Sequence, residues 1–379
     1  MEVTYQLTKK QDFFQKNINS FVKQRISPRV VETDREEEFP REAMDQLAGS
    51  RLLGLLVPRE EGGEGAGFLD LCLALEGIAK ACPTSALVCS VQNLGGRLLS
   101  RQGKPAQKDR YLSDLMAGEA VFGYALPEVV SLSLTDVVLS VSKERDGFVL
   151  KGAESCVVNG DVAEVICLFA KDGQSAHGLL VEKGTRGLKV TRQEGTRGAE
   201  ARTTCRAVLE NCRLPADNLM GEEGAGQEIM VDLITEASCF TAARALGIAQ
   251  GALDYAIQYA KQREQFGRQI GKFQAIQVIL ADMGARVEAA RQLVYKAASV
   301  LDQGIKERYR FSSTAKYFAS RMAMEVTADA VQVGGGYGYA KDYPLEKMMR
   351  NAQLNQIVDG SNHSHQLAIA KSLLGDGFR

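Results

Sequence analysis

From about residue 226 to the end of the chain, apolar residues recur with a helical period over unusually long stretches. Ile276, Leu280, Met283, Val287, Ala290, Val294, Ala297 and Leu301 form one unbroken stripe in alternating steps of four and three. Phe240, Ala243, Leu246, Ala249, Leu253 and Ile257 form a second, and Phe318, Met322, Val326, Ala330 and Val333 a third. Helices of this length with a single apolar face bury it by packing on one another, so a C-terminal four-helix bundle is expected. Stripes alone fit a purely structural bundle as well as a catalytic one. The stretch before it has another texture. VVLSVSK, GFVLKG, CVVNG, VICLFA, GLLVEK and TTCRAVL are short, β-rich and punctuated by Gly, Asp or Asn. They predict a β-barrel or sandwich. Residues 1 to about 118 return to helical spacing, with Phe14, Ile18, Phe21 and Val22 on one face and Pro40 opening a second helix. The expected architecture is α+β, with an all-α domain over 1–118, a β domain over 119–227 and a helical bundle over 228–379.

Composition narrows the function. The 379 residues are 45% hydrophobic and 25% charged with a formal net charge of −1, so no global basic field invites nucleic acid or an anionic membrane. No apolar run is long enough for membrane insertion. The start, MEVTYQLTKKQDFF, is unlike a secretory signal. The eight cysteines include no C-x-x-C pair and lie mostly in apolar runs, as expected of small buried hydrophobes in a reducing, cytoplasmic setting. The three histidines offer no metal-ligand spacing near cysteine. His363 and His365 are two apart and diverge on a helix.

Three segments carry chemistry. In REQFGRQIGKFQ (263–274), Arg263 closes one long helix, Gly267 permits a sharp turn and Gln274 opens the next helix. A forked guanidinium and an amide beside such a turn suit a pyrophosphate, although a plain helical hairpin reads the same way in isolation. QVGGGYGY (332–339) places three successive glycines at a helix end, where one would suffice as a terminator; close approach of the chain to a ligand accounts for the others. In the third, running from Lys347 to Gln366, a helix ends near Val358. Asp359-Gly360 turns the chain and Ser361 caps the next helix. Asp359 follows the apolar pair Ile357-Val358, and burial there is expected to favour its protonated form, a useful adjustment for a general base. A turn aspartate with no further duty fits equally.

In this order and at these separations the three segments resemble the acyl-CoA dehydrogenase family. VPREEGGEGAGF (57–68), LMAGE (115–119), RLPADNLMGEEGAGQ (213–227) and ARALGIAQGALDYAIQYAKQREQFG (243–267) extend the resemblance over nearly the whole chain. It implies an FAD-dependent oxidoreductase of the EC 1.3 class acting on an acyl-CoA or acyl-carrier thioester. Arg263, Phe266, Gln274, Gln332, Gly335 and Gly336 would hold FAD across a subunit boundary in a dimer or homotetramer. Asp359 occupies the slot of the family's basic glutamate, one methylene shorter, which moves its oxygens by about 1.5 Å. It would take the α-proton while the β-hydrogen leaves as hydride to flavin N5. Gly360 and Ser133 would line the substrate; Ser361, His363, Tyr124, Leu126, Cys156 and Val158 would line the cofactor. Electron-transferring flavoprotein is the expected acceptor. A second slot for the base, used by some relatives, aligns with Ala237, with Glu236 beside it.

The chain departs from the family around the flavin ring. It has no tryptophan, and the family's W-x-T-N-G segment reads Cys156-Val157-Val158-Asn159-Gly160. Pro127 replaces a hydroxyl-bearing residue, and Ser238 stands where relatives carry an arginine. These losses keep two alternatives open: a flavin oxidase or other non-dehydrogenase member of the superfamily, and a non-catalytic flavin-binding subunit. Nitroalkane oxidases use an aspartate in this slot, but their partner arginine would fall at Gln366.

Overall fold

A computed structural model describes residues 6–29, 39–126, 136–192 and 204–375 of the chain. It opens with helices α1 (Lys9–Phe21), α2 (Arg41–Gly49), α3 (Phe68–Ala79), α4 (Pro83–Gln102) and α5 (Pro105–Ala117). Thr8 caps α1 in a reciprocal capping box with Gln11. Proline stands at the start of both α4 and α5, where its missing N–H costs nothing.

The β region forms one sheet from β1 (Phe122–Ala125), β2 (Leu139–Glu144), β3 (Gly147–Val158), β4 (Val165–Lys171), β5 (Ala176–Glu182), β6 (Leu188–Arg192), β7 (Thr204–Pro215) and β8 (Leu219–Met220). Its order is β6-β7-β3-β1-β4-β5-β8, and β2 also pairs with both β3 and β4. β1 and β2 lie end to end in the same slot between β3 and β4, whose other edges pair with β7 and β5, so the sheet runs from β6 to β8 without closing on itself. GFVLKG and CVVNG, separate runs in the sequence, belong to the single strand β3, which bends at two register shifts against β7. β1 itself carried no alternation signal, because all four of its residues are buried. Phe122 and Tyr124 join the helical core, whereas Ala125 joins the core inside the sheet. This strand therefore delivers a tyrosine from the β domain to the helices.

The C-terminal region consists of α6 (Gly226–Gln262), α7 (Gln274–Asp302), α8 (Arg308–Gly334), α9 (Leu345–Leu354) and α10 (Asn362–Leu374). α6 is the central beam, packing against α3, α4, α7, α8, α9 and β5. The α7 stripe is buried from Met283 to Leu301, while Ile276 and Leu280 at its start are only partly covered. Phe318, expected in the α8 stripe, instead stands partly in solvent at 36% exposure. The buried stripe of α8 runs through Ala315, Ala319, Met322, Ala323 and Val326. No helix among the described residues is long and apolar enough to cross a membrane.

The beam packs closely because it carries glycine at its crossings. A Cβ at Gly247 would lie 2.4 Å from the Glu76 carbonyl oxygen and 2.7 Å from the Ala79 Cβ, and one at Gly251 would lie 2.4 Å from the Lys80 carbonyl oxygen. Gly247→Ala is expected to push α3 off α6 at a cost of roughly 1–3 kcal/mol. The check is the thermal midpoint, which should fall clearly; an unchanged midpoint would contradict the close crossing.

Candidate active site

The turn between α9 and α10 sets the geometry. Asp359 adopts φ 54 and Gly360 φ 86, left-handed conformations that aspartate tolerates better than most residues and glycine adopts freely. Ser361 caps α10 by accepting the Ser364 N–H at 3.2 Å, as its place in the sequence predicts. The turn folds the Asp359 carboxylate inward to 7% exposure for the residue.

β1 and α6 meet the turn at that carboxylate. Tyr124 of β1 donates its hydroxyl to Oδ1 at 2.7 Å, and Thr241 of α6 donates to Oδ2 at 2.5 Å. Arg244, one turn further along α6 and only 1% exposed, places Nη2 3.8 Å from Oδ2 and 3.1 Å from the Thr241 hydroxyl. Its Nη1 donates to Ser90 of α4 at 2.9 Å. The Tyr124 phenol is pushed well above its ordinary range, first by burial and then by the Asp359 charge.

A second layer grips the turn from behind. His365 Nε2 lies 2.9 Å from the Asp359 carbonyl oxygen and Nδ1 lies 3.1 Å from the Ser313 hydroxyl. Burial pulls the imidazole down to about 3, with the Lys316 charge second. It is therefore neutral near pH 7, and because a carbonyl only accepts, Nε2 carries the proton. Lys316 of α8 donates to the Gly360 carbonyl at 2.5 Å and to Asn362 Oδ1 at 3.1 Å, and burial lowers its ammonium to about 7. Both turn carbonyls are thus occupied, whereas the Asp359 N–H has no acceptor among the described residues.

The local reason for burying Asp359 differs from the expected one. Ile357 is 50% exposed and Val358 only partly buried, so the preceding apolar pair does not enclose the carboxylate. Tyr124, Thr241 and Arg244 do, and they surround it with donors rather than hydrocarbon. Glu236, the alternative base, is engaged elsewhere: its Oε1 accepts from Arg97 Nε at 2.8 Å, with Arg101 3.8 Å away. Burial raises its carboxyl although these arginines oppose the rise. Neighbouring Ala237 is fully buried, and the Ser238 hydroxyl turns back to the Ile234 carbonyl. Gln366, where the oxidase alternative wants an arginine, is exposed and bonded to the Tyr317 hydroxyl.

The expected cofactor residues fall into two groups. Arg263 ends α6, and Phe266-Gly267, at φ 52 and 78, turns a two-residue hairpin that pairs Glu264–Gln265 with Arg268–Gln269. Phe266 is 92% exposed. Gln274 opens α7, while Gln332, Gly335 and Gly336 lie exposed at the end of α8. The Arg263 guanidinium stacks over the Tyr337 ring at 5.2 Å, joining hairpin and glycine run. Among the described residues the side chains of Arg263, Gln274 and Gln332 have no hydrogen-bond or ion-pair partner. A Cβ at Gly335 or Gly336 would meet nothing within 4 Å. Unspent donors beside an open glycine cradle fit a pyrophosphate.

The second group lies at the β domain. Tyr124 and Val158 are register partners and, with Leu126, join the helical core; Cys156 is half-buried. His363 is exposed while His365 is buried, the divergence expected of their spacing. Ser133 and Pro127 lie outside the described residues. All eight cysteines are free thiols, and no group of metal-ligating side chains occurs among the described residues.

Thr241, Arg244, Ser90, Lys316 and His365 were not singled out from the sequence. The one available signal was Arg244 itself, a charge inside the small and apolar run CFTAARALGIA.

Comparison with known proteins agrees with this architecture. Residues 8–119 match the acyl-CoA dehydrogenase N-terminal domain and residues 224–374 the acyl-CoA dehydrogenase C-terminal domain. A short-chain-specific acyl-CoA dehydrogenase of Clostridium acetobutylicum is 34% identical over 373 residues, covering 97% of this chain and 98% of that protein. A cyclohex-1-ene-1-carbonyl-CoA dehydrogenase of Geobacter metallireducens is 36% identical over 97% of this chain and 99% of its own. The solved butyryl-CoA dehydrogenase of Megasphaera elsdenii superposes with a TM-score of 0.91 at 32% identity, over 98% of this chain and 100% of that one. A chain solved in work on the electron transferring flavoprotein of Acidaminococcus fermentans gives 0.92 at 34% identity, over 99% and 100%. With its buried aspartate, open glycine cradle and helix–sheet–bundle order, the chain belongs to the acyl-CoA dehydrogenase family of FAD-dependent oxidoreductases.

Lys316 supplies a test of the layer behind the turn. Its ammonium is lowered in the fold from an ordinary 10.5 to about 7, so the unfolded chain holds more protons between those values. Stability contributed at this position should therefore rise with pH across that window and be lost as pH falls towards 7. Urea melts of the native protein and Lys316→Met should diverge in the native protein's favour as pH rises through the window. A pH-independent gap would contradict the buried amine.

Proposed function

We propose that the protein is an acyl-thioester dehydrogenase in which Asp359 removes the α-proton of the acyl group. The observation that carries this reading is the carboxylate itself, buried, folded inward by a left-handed turn and held on both oxygens by Tyr124 and Thr241. Each carboxylate oxygen offers two acceptor positions. The two hydroxyls take one apiece, which leaves a lone pair on each oxygen for a proton from carbon. His365 and Lys316 fix the turn through its carbonyls, so the shorter aspartate is aimed by the backbone rather than by side-chain reach. The Asp359 N–H, which has no acceptor among the described residues, is the donor available to a thioester carbonyl. One such donor, placed where negative charge develops, is worth about 3 kcal/mol.

FAD supplies the acceptor for the β-hydrogen as hydride when it is bound. Arg263, Gln274 and Gln332 would hold its pyrophosphate end beside Gly335 and Gly336, and Tyr124, Leu126, Cys156, Val158, Ser361 and His363 its ring end. Arg244 and Arg263 are 19 residues apart on α6, about 28 Å at helical rise. Such a span favours a cofactor shared between copies, one chain offering the cradle and another the aspartate. Exposed Phe266, Val278, Tyr339 and Ile357 give the C-terminal domain apolar surface for a dimer or homotetramer. Domain boundaries near residues 118 and 227 are consistent with the change from helix to sheet and back. Electron-transferring flavoprotein is the acceptor in keeping with the family, and free thiols fit a cytoplasmic enzyme.

Two substitutions separate the halves of the site. Asp359→Asn should retain flavin yet lose anaerobic bleaching by a panel of acyl-CoAs, while Arg263→Ala should lose flavin on dialysis. Undiminished bleaching in the first would remove Asp359 from the chemistry. Full flavin occupancy in the second would remove Arg263 from the cradle.

A further inference from the structure

Arg244 occupies a place that the family resemblance leaves unassigned. We propose that Arg244 is the counter-ion of Asp359, a positioning residue that holds the carboxylate aimed, partly through the Thr241 hydroxyl. This inference rests on the reading of Asp359 as the base.

Burial sets the demand. A guanidinium cannot shed its charge, and one enclosed at 1% exposure is costly unless a carboxylate and hydrogen-bond acceptors answer it. The α6 segment around it offers small and apolar residues, and Asp359 is the carboxylate that meets it among the described residues. The 3.8 Å separation is too long for a direct hydrogen bond. Thr241 fills the gap: its oxygen accepts from Nη2 at 3.1 Å and its proton goes to Oδ2 at 2.5 Å. The positive charge therefore polarises the hydroxyl toward the carboxylate. On the other side, the Ser90 hydroxyl donates to the Leu87 carbonyl at 2.8 Å, so its lone pair faces Nη1. Both hydroxyls are thus oriented as acceptors for the guanidinium.

This arrangement couples the base without capping it. A bidentate fork would occupy the oxygens, whereas a hydroxyl relay neutralises the charge and leaves acceptor positions open. The remaining polar groups around Asp359 are Tyr124 from β1, Lys316 from α8 and His365 from α10. The last two face the turn's carbonyls rather than its carboxylate. Among the described residues Arg244 is accordingly the cation whose nitrogen comes within 4 Å of the carboxylate itself. It also stands on α6, one turn and a half beyond Ser238, the position where relatives carry their arginine.

The test uses FAD-loaded protein and single-turnover bleaching by whichever acyl-CoA reduces the native flavin. In Arg244→Met the pH at which bleaching half-develops should move up by at least about one unit, because an opposite charge at this range shifts a carboxyl by that order. Arg244→Lys should reverse most of that displacement, and Thr241→Val should produce a smaller one. An unmoved profile in Arg244→Met would overturn the proposal. A purely structural role would lower the amount of active protein without moving its pH dependence. A double-substitution cycle on thermal midpoints keeps the pairing testable if no acyl-CoA bleaches the native flavin, an outcome that counts against the dehydrogenase reading. Arg244→Met should lower the midpoint more in the native background than beside Asp359→Asn. Equal drops would overturn the ion pair whatever the reaction. Arg244→Gln replaces Arg244→Met in both assays if the methionine variant does not fold, with Arg244→Lys kept as the charge-retaining control.

Discussion

The enclosure of a single carboxylate shapes this end of the molecule. An aspartate removed from water is tolerable only among donors, and no single element of this chain could supply them. β1 brings Tyr124, α6 brings Thr241 and Arg244, and the α9–α10 turn brings Asp359. Lys316 on α8 and His365 on α10 then hold the turn's carbonyls. The sheet, the beam and the C-terminal helices are therefore tied together by charge and hydrogen bonding at one point. The surrounding apolar core makes that point dry enough for each contact to matter.

The cofactor end is built on the opposite principle. Arg263, Gln274, Gln332 and the glycines stay at the surface with their donors unspent. A buried base and an exposed cradle, separated by most of the length of α6, make little sense as one pocket in one chain. They make good sense in an assembly that brings the cradle of one copy to the aspartate of another. The exposed apolar residues Phe266, Val278, Tyr339 and Ile357 of the C-terminal region fit the same proposal.

The architecture was legible because its signals are local and repeated. Unbroken stripes marked α6 and α7, and turn residues marked most of the strands. Asp359-Gly360-Ser361 could be read as a turn and cap because each residue type has a conformational reason to be there. What stayed hidden depends on contacts between distant segments. Tyr124 lies 235 residues from Asp359 and Thr241 118 residues from it, and no spacing rule links them. The four-residue strand β1 had no alternation to betray it. Ile357 and Val358 misled for the same reason, since sequence neighbours of a turn residue need not share its surroundings. Phe318 carried the right period on the wrong edge of its stripe. Arg244 alone advertised itself, as a charge where only small and apolar residues belong.

The central claim is that the Asp359 carboxylate faces the reacting carbon. The most direct measurement is an experimental structure of the assembled, FAD-loaded protein with a non-oxidisable acyl thioester. A carboxylate oxygen of Asp359 should lie within about 3–3.5 Å of the acyl α-carbon, the near-attack range, with Tyr124, Thr241 and Arg244 still around it. A thioester bound elsewhere, with Asp359 sealed from it by those same three residues, would contradict the account.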